Sequence, residues 1–532
     1  MNAHLDFTFP YASARPAVFG RSAIATSHSL ASMAGMEMLL AGGTAVDAAV
    51  AAALTLTVVE PTGCGIGSDA FAIVWDGKEL HGLDASGRAP AAWTPEYFAG
   101  RKDMPRRGWD TVTVPGAVSG WTALLDRFGK LPFTQVALPA IRHARQGFAV
   151  TPIVAKRWAA SVDILADKPG FADCFLPGGR APRAGEIFHA PAHADTLEEI
   201  AYSNGDSFYR GRLAQEIARH AAAHGGALCL ADLAEHRADW VHTLAQPYAG
   251  AVVHELPPAG QGIATLIGLG ILSAIGGGAP GVDSIEEVHR SIEATKLGLA
   301  DLYQFVGAPE AMAVTAEALL DPSYLADRAR LIDPDRAGDP GHGAPRPAGT
   351  VCLSAADSNG MMISFIQSNY NGFGSGIVIP GTGISLQNRG AGFSLSKDHP
   401  NCVAPRKRPF HTIIPGFAMA SDGQPLMAFG LMGGPMQAQG HLQLMQRMLK
   451  YRQNPQAAAD APRWRIISGR KIAVEPGMDP GLLSALAAKG HEIVQGEQDH
   501  DFAFGGAQIV MRHGEGYIAG SDPRKDGLAL AS

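Results

Sequence analysis

Residues 348–360, Ala348-Gly-Thr-Val-Cys-Leu-Ser-Ala-Ala-Asp-Ser-Asn-Gly360, read as one arm of a β-hairpin and its tip. Small and apolar side chains fill 350–356, the turn Ser358-Asn359-Gly360 follows, and Met361–Gln367 supplies an apolar return strand. Immediately upstream, residues 333–349 (DPDRAGDPGHGAPRPAG) hold four glycines, four prolines and almost no large apolar residue. Such a segment has nothing to bury, so it is expected to be exposed and mobile. A polar linker that stops abruptly at a Gly-Thr pair opening a core strand is the most informative local pattern in the chain.

A threonine hydroxyl is a weak nucleophile unless a base sits beside it. An N-terminal threonine brings its own base, the α-amino group, whose reference pKa of ~7.7–8.0 suits neutral pH. Freeing that amine requires a cut between Gly349 and Thr350. The same hydroxyl can make the cut by attacking the Gly349 carbonyl, giving an ester that water hydrolyses. Glycine at 349 permits the backbone geometry this attack needs. Taken alone, Gly-Thr is better read as the start of an ordinary strand, and its neighbours along the chain reverse that judgement.

Toward the N-terminus, Ser27–Leu40 has helical spacing and stops at Gly42-Gly43. Thr44 and Asp47 resemble a capping box opening an Ala-rich helix to about Val58. The glycine loop Pro61–Gly67 (PTGCGIG) follows, then Ala70–Trp75 as a buried strand. Residues 131–332 are expected to be mainly helical, with helices at 196–203, 213–224 and 284–304 and a strand-like run at Tyr248–Leu256.

The 532 residues are 46% hydrophobic and 17% charged, a globular balance whose length allows two to four domains or one large fold. A net charge of −7 argues against a nucleic-acid surface, and Arg406-Lys407-Arg408 reads as a solvated turn. The five cysteines (64, 174, 229, 352, 402) form no CxxC pair, so neither a zinc site nor a disulfide scaffold is indicated, and no metal or cofactor is expected. Cys352 reads as core packing. No secretory signal is visible, and Ala48–Val59 falls short of the ~20 residues that span a bilayer, so a cytoplasmic protein without membrane contact is expected. His189 and His193 are read as surface histidines because Pro191 breaks a helix between them. GCGIG (63–67) lies after a helix and before a strand, the reverse of a dinucleotide loop, and neither a phosphate loop nor a serine nucleophile elbow is present.

Several motifs in fixed order carry a stronger signal. GGTAVDAAVAAALTLTVVEPTGCGIGSDAFAIV (42–74), AGTVCLSAADSNG (348–360), FGSGIVIPGTGISLQNRGAGFS (373–394), KRPFHTIIP (407–415), FGLMGGPMQ (429–437) and GSDPRKDG (520–527) resemble, in order, landmarks of the γ-glutamyltranspeptidase family. The resemblance implies an α/β (α+β) chain folded as the four-layer αββα sandwich of the N-terminal-nucleophile hydrolases. It implies self-cleavage into a large piece, 1–349, and a small piece, 350–532, intertwined as a heterodimer from one chain, with a dimer of these left open. Thr350 would be the nucleophile, and the Gly433 and Gly434 N–H groups would form the oxyanion hole, helped by the positive end of a Gln437–Lys450 helix. A plain turn is the competing reading for the two glycines.

The residues with which glutathione-processing members hold glutamate are replaced here by Ser86, Tyr370, Arg389, Gly392 and the pair His411-Thr412. In this respect the chain resembles the branch that includes oxamate amidohydrolase. Arg389 is the candidate for a substrate carboxylate, with a structural ion pair as the competing reading. Ser368 is placed to hydrogen-bond the nucleophile. Tyr370, His411 and Thr412 are expected to line the pocket, with Arg88 standing in for a displaced arginine. The expected activity is hydrolysis or transfer of the acyl group of a small carboxylate-bearing amide, such as a γ-glutamyl compound or oxamate. The alternatives are an acylase for a dicarboxylic side chain and a non-processing binding or scaffold protein.

Overall fold

A computed structural model describes residues 11, 15–277, 281–340, 349–495 and 503–532. Two seven-stranded sheets form its centre. In one, the strands lie in the order Leu528–Ala531, Ala23–Thr26, Gly349–Ala356, Met362–Tyr370, Asp69–Trp75, Leu80–Ala85, Asp239–Val241. In the other the order is Val18–Gly20, Gly516–Ser521, Gly506–His513, Pro425–Met432, Pro415–Ala420, Ala251–Glu255, Leu244–Tyr248. All neighbouring strands in both sheets pair antiparallel.

The period-2 alternation of strand side chains divides the core into layers. From the Gly349–Ala356 strand, Val351, Leu353 and Ala355 pack outward with helices Ser29–Leu40, Ala45–Val59, Ala117–Phe128 and Phe133–Gln146. Cys352 and Ala356 point the other way, into the gap between the sheets, where they meet Phe71, Ile366, Phe417 and Met432. The second sheet packs its outer face, with Val253, Phe429, Leu431 and Ile509, on helices Gly262–Ile275 and Met436–Met445. Helix, sheet, sheet, helix is the expected four-layer sandwich. Cys352 is packing, as expected, and its thiol pKa is pushed up by burial.

Local chemistry accounts for the element ends. The Ala45–Val59 helix is buried along its whole length and apolar on all sides. Its capping box is complete: Asp47 N–H donates to Thr44 Oγ1 at 3.2 Å and Thr44 N–H to Asp47 Oδ2 at 2.7 Å. The Asn-Gly hairpin forms as read, with Ala356 opposite Met362. The run at Tyr248–Leu256 is the turn and second strand of a hairpin whose first strand is Leu244–Tyr248.

Three expectations need correction. The linker is not free from residue 333 onward. Ala337 is buried, its N–H donates to Lys489 O at 2.7 Å, and Gly338 N–H donates to Glu293 Oε2 at 2.9 Å. The buried Glu293–Lys296 pair needs backbone partners and takes them from this segment, Lys296 Nζ donating to Gly338 O at 2.8 Å. Residues 341–348 lie outside the described residues. Second, Pro191 opens helix Pro191–Tyr202 rather than breaking it, since a first-turn proline has no N–H to lose. His193 is therefore buried, 2.9 Å from Thr57 Oγ1. Third, the basic run is not a solvated turn: Arg408 is largely buried and pairs with Asp239 at 2.6 Å. Among the described residues no helix is long and apolar enough to cross a membrane, and all five cysteines are free.

Candidate active site

Thr350 stands at the edge of the inter-sheet gap, where a register irregularity separates the pair Gly349–Tyr370 from Val351–Gln367. Its side chain is fully buried. Thr350 Oγ1 lies 3.3 Å from Ser368 Oγ and 3.4 Å from Gln437 Nε2, a donor. Gln437 Oε1 accepts from Ile414 N–H at 3.0 Å, which ties this hydroxyl to the segment carrying His411 and Thr412. Ser368 Oγ accepts from Tyr370 N–H at 2.8 Å, and Tyr370 sits in the left-handed region at φ 74°.

Gly433 and Gly434 follow the Pro425–Met432 strand with φ 132° and 58°, conformations that suit glycine. A Cβ on Gly433 would meet Gly505 Cα at 2.9 Å, so the close approach also requires glycine. The helix they lead into starts at Met436 and passes into a π turn at Gln446–Lys450, so its positive end faces this loop. The strand end is braced from behind. Leu431 N–H donates to His441 Nε2 at 3.1 Å, and His441 Nδ1 donates to Glu255 Oε1 at 2.6 Å, with both side chains fully buried.

Arg389 is fully buried. Its Nη1 donates to Thr412 Oγ1 at 3.1 Å and its guanidinium carbon lies 4.3 Å from the centre of the Tyr370 ring. Its Nε and Nη2 have no hydrogen-bond partner among the described residues. Burial lowers its pKa to about 10, still a cation at neutral pH. His411 is equally buried, neither ring nitrogen has a hydrogen-bond partner among the described residues, and its ring packs T-shaped against Phe71 with centres 5.0 Å apart. Burial first, then Arg389 and Arg408, hold its pKa well below the usual value, so the ring is neutral.

The fold thus gathers Thr350, Ser368, Tyr370, Arg389, His411 and Thr412 in one connected cluster. Arg88 is not part of it: Arg88 Nη2 is paired with Asp239 Oδ2 at 2.9 Å, sharing that carboxylate with Arg408. Arg88 is one-third exposed and takes Asp239, while the neighbouring Asp84 lies 3.6 Å from Arg408 Nε, and all four residues line one cavity.

Sequence reasoning passed over two members of the cluster. Gln437 stood at the end of a landmark, one residue inside a helix. Asp69 was legible as the lone carboxylate in an otherwise apolar, wholly buried strand, DAFAIVW, directly after a glycine loop. It pairs across the sheet with Ser368, so the two side chains share the inter-sheet face. Two groups elsewhere have metal-ligand geometry. His289, Glu293 and His491 cluster in the helical core beneath the second sheet, but Glu293 Oε1 is already taken by Lys296 at 2.8 Å; Asp76, Glu79 and His81 lie at a surface turn.

The gamma-glutamyltranspeptidase family profile matches residues 31–532. The oxamate amidohydrolase proenzyme of Klebsiella pneumoniae is 37% identical over 94% of this chain and 97% of its own length. A glutathione hydrolase-like proenzyme of Bacillus subtilis is 35% identical over 95% and 98%. The crystal structure of a cephalosporin acylase from Bacillus halodurans superposes with a TM-score of 0.94 at 45% identity, covering 99% of both chains. Profile, relatives and four-layer fold agree, and the chain belongs to the gamma-glutamyltranspeptidase family.

Proposed function

We propose that this protein is a precursor that cuts itself between Gly349 and Thr350 and then hydrolyses a small amide bearing a carboxylate. One observation carries the reading: a buried threonine hydroxyl, within reach of Ser368 and Gln437, belongs to the same cluster as a buried guanidinium with an unengaged Nε–Nη2 edge. That edge matches the two oxygens of a carboxylate. The relatives whose names specify an amide hydrolysis and a proenzyme support the class.

In the cut protein the Thr350 α-amine takes the hydroxyl proton as Oγ1 attacks the amide carbonyl. The Gly433 and Gly434 N–H groups receive the oxyanion. The ammonium then protonates the leaving nitrogen, and water activated by the same amine hydrolyses the acyl ester. Residues 1–349 and 350–532 remain as one heterodimer, because each sheet hydrogen-bonds strands of both pieces side by side.

Denaturing gels test the first half. Dividing 55.6 kDa by residue number, two bands near 36 and 19 kDa are expected, with Thr350→Ala giving one inactive band. A single band in active wild-type protein would refute the mechanism. For substrate, oxamate is compared with a γ-glutamyl anilide; efficient transfer of the glutamyl group to glycylglycine would move the assignment to a transpeptidase. A second reading, an acylase releasing a dicarboxylic side chain from a bulkier amine, draws on the acylase neighbour. It also draws on a cavity of about 190 Å³ lined in part by Phe71, whose ring packs against His411.

A further inference from the structure

The glycine loop Pro61–Gly67 presses against the hairpin at Thr350. A Cβ on Gly63 would meet Val351 Cγ1 at 2.8 Å and Thr350 O at 3.4 Å, and one on Gly65 would collide with Ser385 Oγ and lie 3.3 Å from Asn369 Nδ2. Close approach of the backbone is what these two positions require of glycine. The loop approaches a β-bulge. Between the pairs Gly349–Tyr370 and Val351–Gln367, one residue of the first strand, Thr350, faces two of the second, Ser368 and Asn369.

An extra residue in a strand loses its ladder partners, and buried backbone groups must then find others. Asn369 finds them in the loop and in the segment before Arg389. Its N–H donates to Gly63 O at 3.1 Å, and its carbonyl accepts from Asn388 N–H at 3.1 Å. The side chain is clamped as well. Ser68 Oγ accepts from Gly65 N–H at 2.9 Å and donates to Asn369 Oδ1 at 2.8 Å, while Asn369 Nδ2 donates to Ser385 Oγ at 3.4 Å. All three side chains are buried. Ser368, the other residue of the bulge, turns the opposite way, its hydroxyl 3.3 Å from Thr350 Oγ1. Bulges of this kind re-aim side chains. We propose that Asn369 is a positioning residue: held by Ser68 and the glycine loop, it fixes the bulge and, through it, the Ser368 hydroxyl that faces Thr350. The inference rests on Thr350 being the nucleophile and gives the glycine loop a part in self-cleavage and turnover rather than in substrate affinity. A displacement of about 1 Å in a reacting group costs about 100-fold in rate, so a slack bulge is felt in the chemistry.

The experiment follows self-cleavage of pulse-labelled chains from cell-free translation, chased on denaturing gels. Asn369→Ala removes both side-chain bonds and should slow the appearance of the two bands by about 10- to 100-fold. Ser68→Ala should slow it by about 10-fold, and the double variant should be no slower than Asn369→Ala, because both act through one bond. Asn369→Asp keeps the acceptor for Ser68 and should stay within about 3-fold of wild type. Val474→Ala, buried in the separate three-stranded sheet, is the stability control: it should melt lower yet cleave at the wild-type rate. Once cut, Asn369→Ala should show a lowered kcat with KM within about 3-fold, on whichever of oxamate and the γ-glutamyl anilide wild type turns over. If Asn369→Ala does not fold, Ser68→Ala and Asn369→Asp carry the comparison. Wild-type cleavage by Asn369→Ala or Ser68→Ala, failure of Asn369→Asp to restore the rate, or equal slowing by Val474→Ala would each overturn the proposal and leave the Thr350 reading standing. Cleavage that persists in Thr350→Ala would remove both.

Discussion

Replacing His441 with leucine removes the brace behind the Gly433-Gly434 loop, and its effect can be worked out bond by bond. Leu431 N–H loses its acceptor and Glu255 Oε1 loses the donor 2.6 Å away, while Glu255 Oε2 has no partner among the described residues to begin with. Breaking a buried pair by deleting one member costs about 3–5 kcal/mol. Burial already raises the Glu255 pKa against the opposing pull of His441, so the stranded carboxyl protonates and the cost falls toward the lower figure. Glu255→Gln keeps an acceptor for His441 Nδ1 and should cost only about 1 kcal/mol. The double variant Glu255→Leu/His441→Leu strands neither polar partner of the other, so it should be less destabilised than the sum of its singles by about 2 kcal/mol. Since Leu431 is two residues from Gly433, loosening the strand end should misplace the oxyanion donor proposed there. Complete loss of such a donor costs about 10²–10³ in kcat, so His441→Leu is expected to lower kcat by about 10- to 100-fold with KM within about 3-fold. Denaturant melts of wild type, His441→Leu, Glu255→Gln, Glu255→Leu and the double variant, with initial rates at saturating and low substrate, measure both quantities. Additive stabilities, or a rise in KM matching the fall in kcat, would show that the pair is ordinary core packing with no hold on the loop.

Other consequences are open to simpler tests. Arg389→Gln should lower kcat/KM on the carboxylate substrate by about 10²–10⁴, mainly through KM, while self-cleavage continues and the melting temperature stays within about 3 °C; a buried cation whose Nε and Nη2 have no partner among the described residues contributes little to folding. Gln437→Leu deletes the donor 3.4 Å from Thr350 Oγ1 and the acceptor of Ile414 N–H, so both cleavage on gels and steady-state kcat should slow by about 10-fold. For Asp69, whose native pKa is raised to about 7, the stability contribution is full below the unfolded value near 4 and lost as pH rises through 7. Asp69→Asn should therefore melt progressively higher than wild type as the buffer moves from pH 5 to pH 8, and a constant difference would contradict the burial argument. Asp522 accepts from Arg463 at 2.6 Å, Ala507 N–H at 2.8 Å and Arg524 at 2.9–3.0 Å, and its carboxyl is held far below the usual range by these two arginines against the cost of burial. Its contribution is present at every pH above the unfolded value near 4 and fades only in strong acid, so Asp522→Ala should lower denaturant stability by about 3–5 kcal/mol at pH 7.

The hairpin, the capping box and the buried strand after the glycine loop were readable because each depends on local rules: an Asn-Gly tip, a Thr–Asp pair three apart, an apolar run of strand length. The place of Thr350 at the start of a core strand was readable for the same reason. What escaped was set by long-range partners. Gly338 looks like linker until Lys296 and Glu293, more than forty positions earlier, claim its backbone groups, and Ala337 until its N–H meets Lys489 O. His193 looks like a loop residue until Pro191 is seen as the first residue of a helix and Thr57 as its neighbour. Arg88 and Arg389 are both lone arginines in sequence. Only the fold tells them apart, by giving one an aspartate and leaving the other's fork unpaired. That Asp69 Oδ2 has no hydrogen-bond partner among the described residues is invisible by any sequence rule.

Strands from either side of position 349 interleave in both sheets: Gly349–Ala356 lies between Ala23–Thr26 and Met362–Tyr370, which in turn neighbours Asp69–Trp75. For the intact chain this is a single-molecule folding problem, with the halves held at an effective concentration in the millimolar range. Once the bond before Thr350 is cut, native packing no longer reveals the difference, but the route back does. A denatured, cleaved molecule must find its other half by collision, and at micromolar protein the lost tether is worth about 4 kcal/mol. The finished enzyme is therefore kinetically one-way: made once from a continuous chain, and durable for as long as its unfolding rate allows. Recovery after denaturation should rise with protein concentration for cleaved protein and be independent of it for an uncut Thr350→Ala chain.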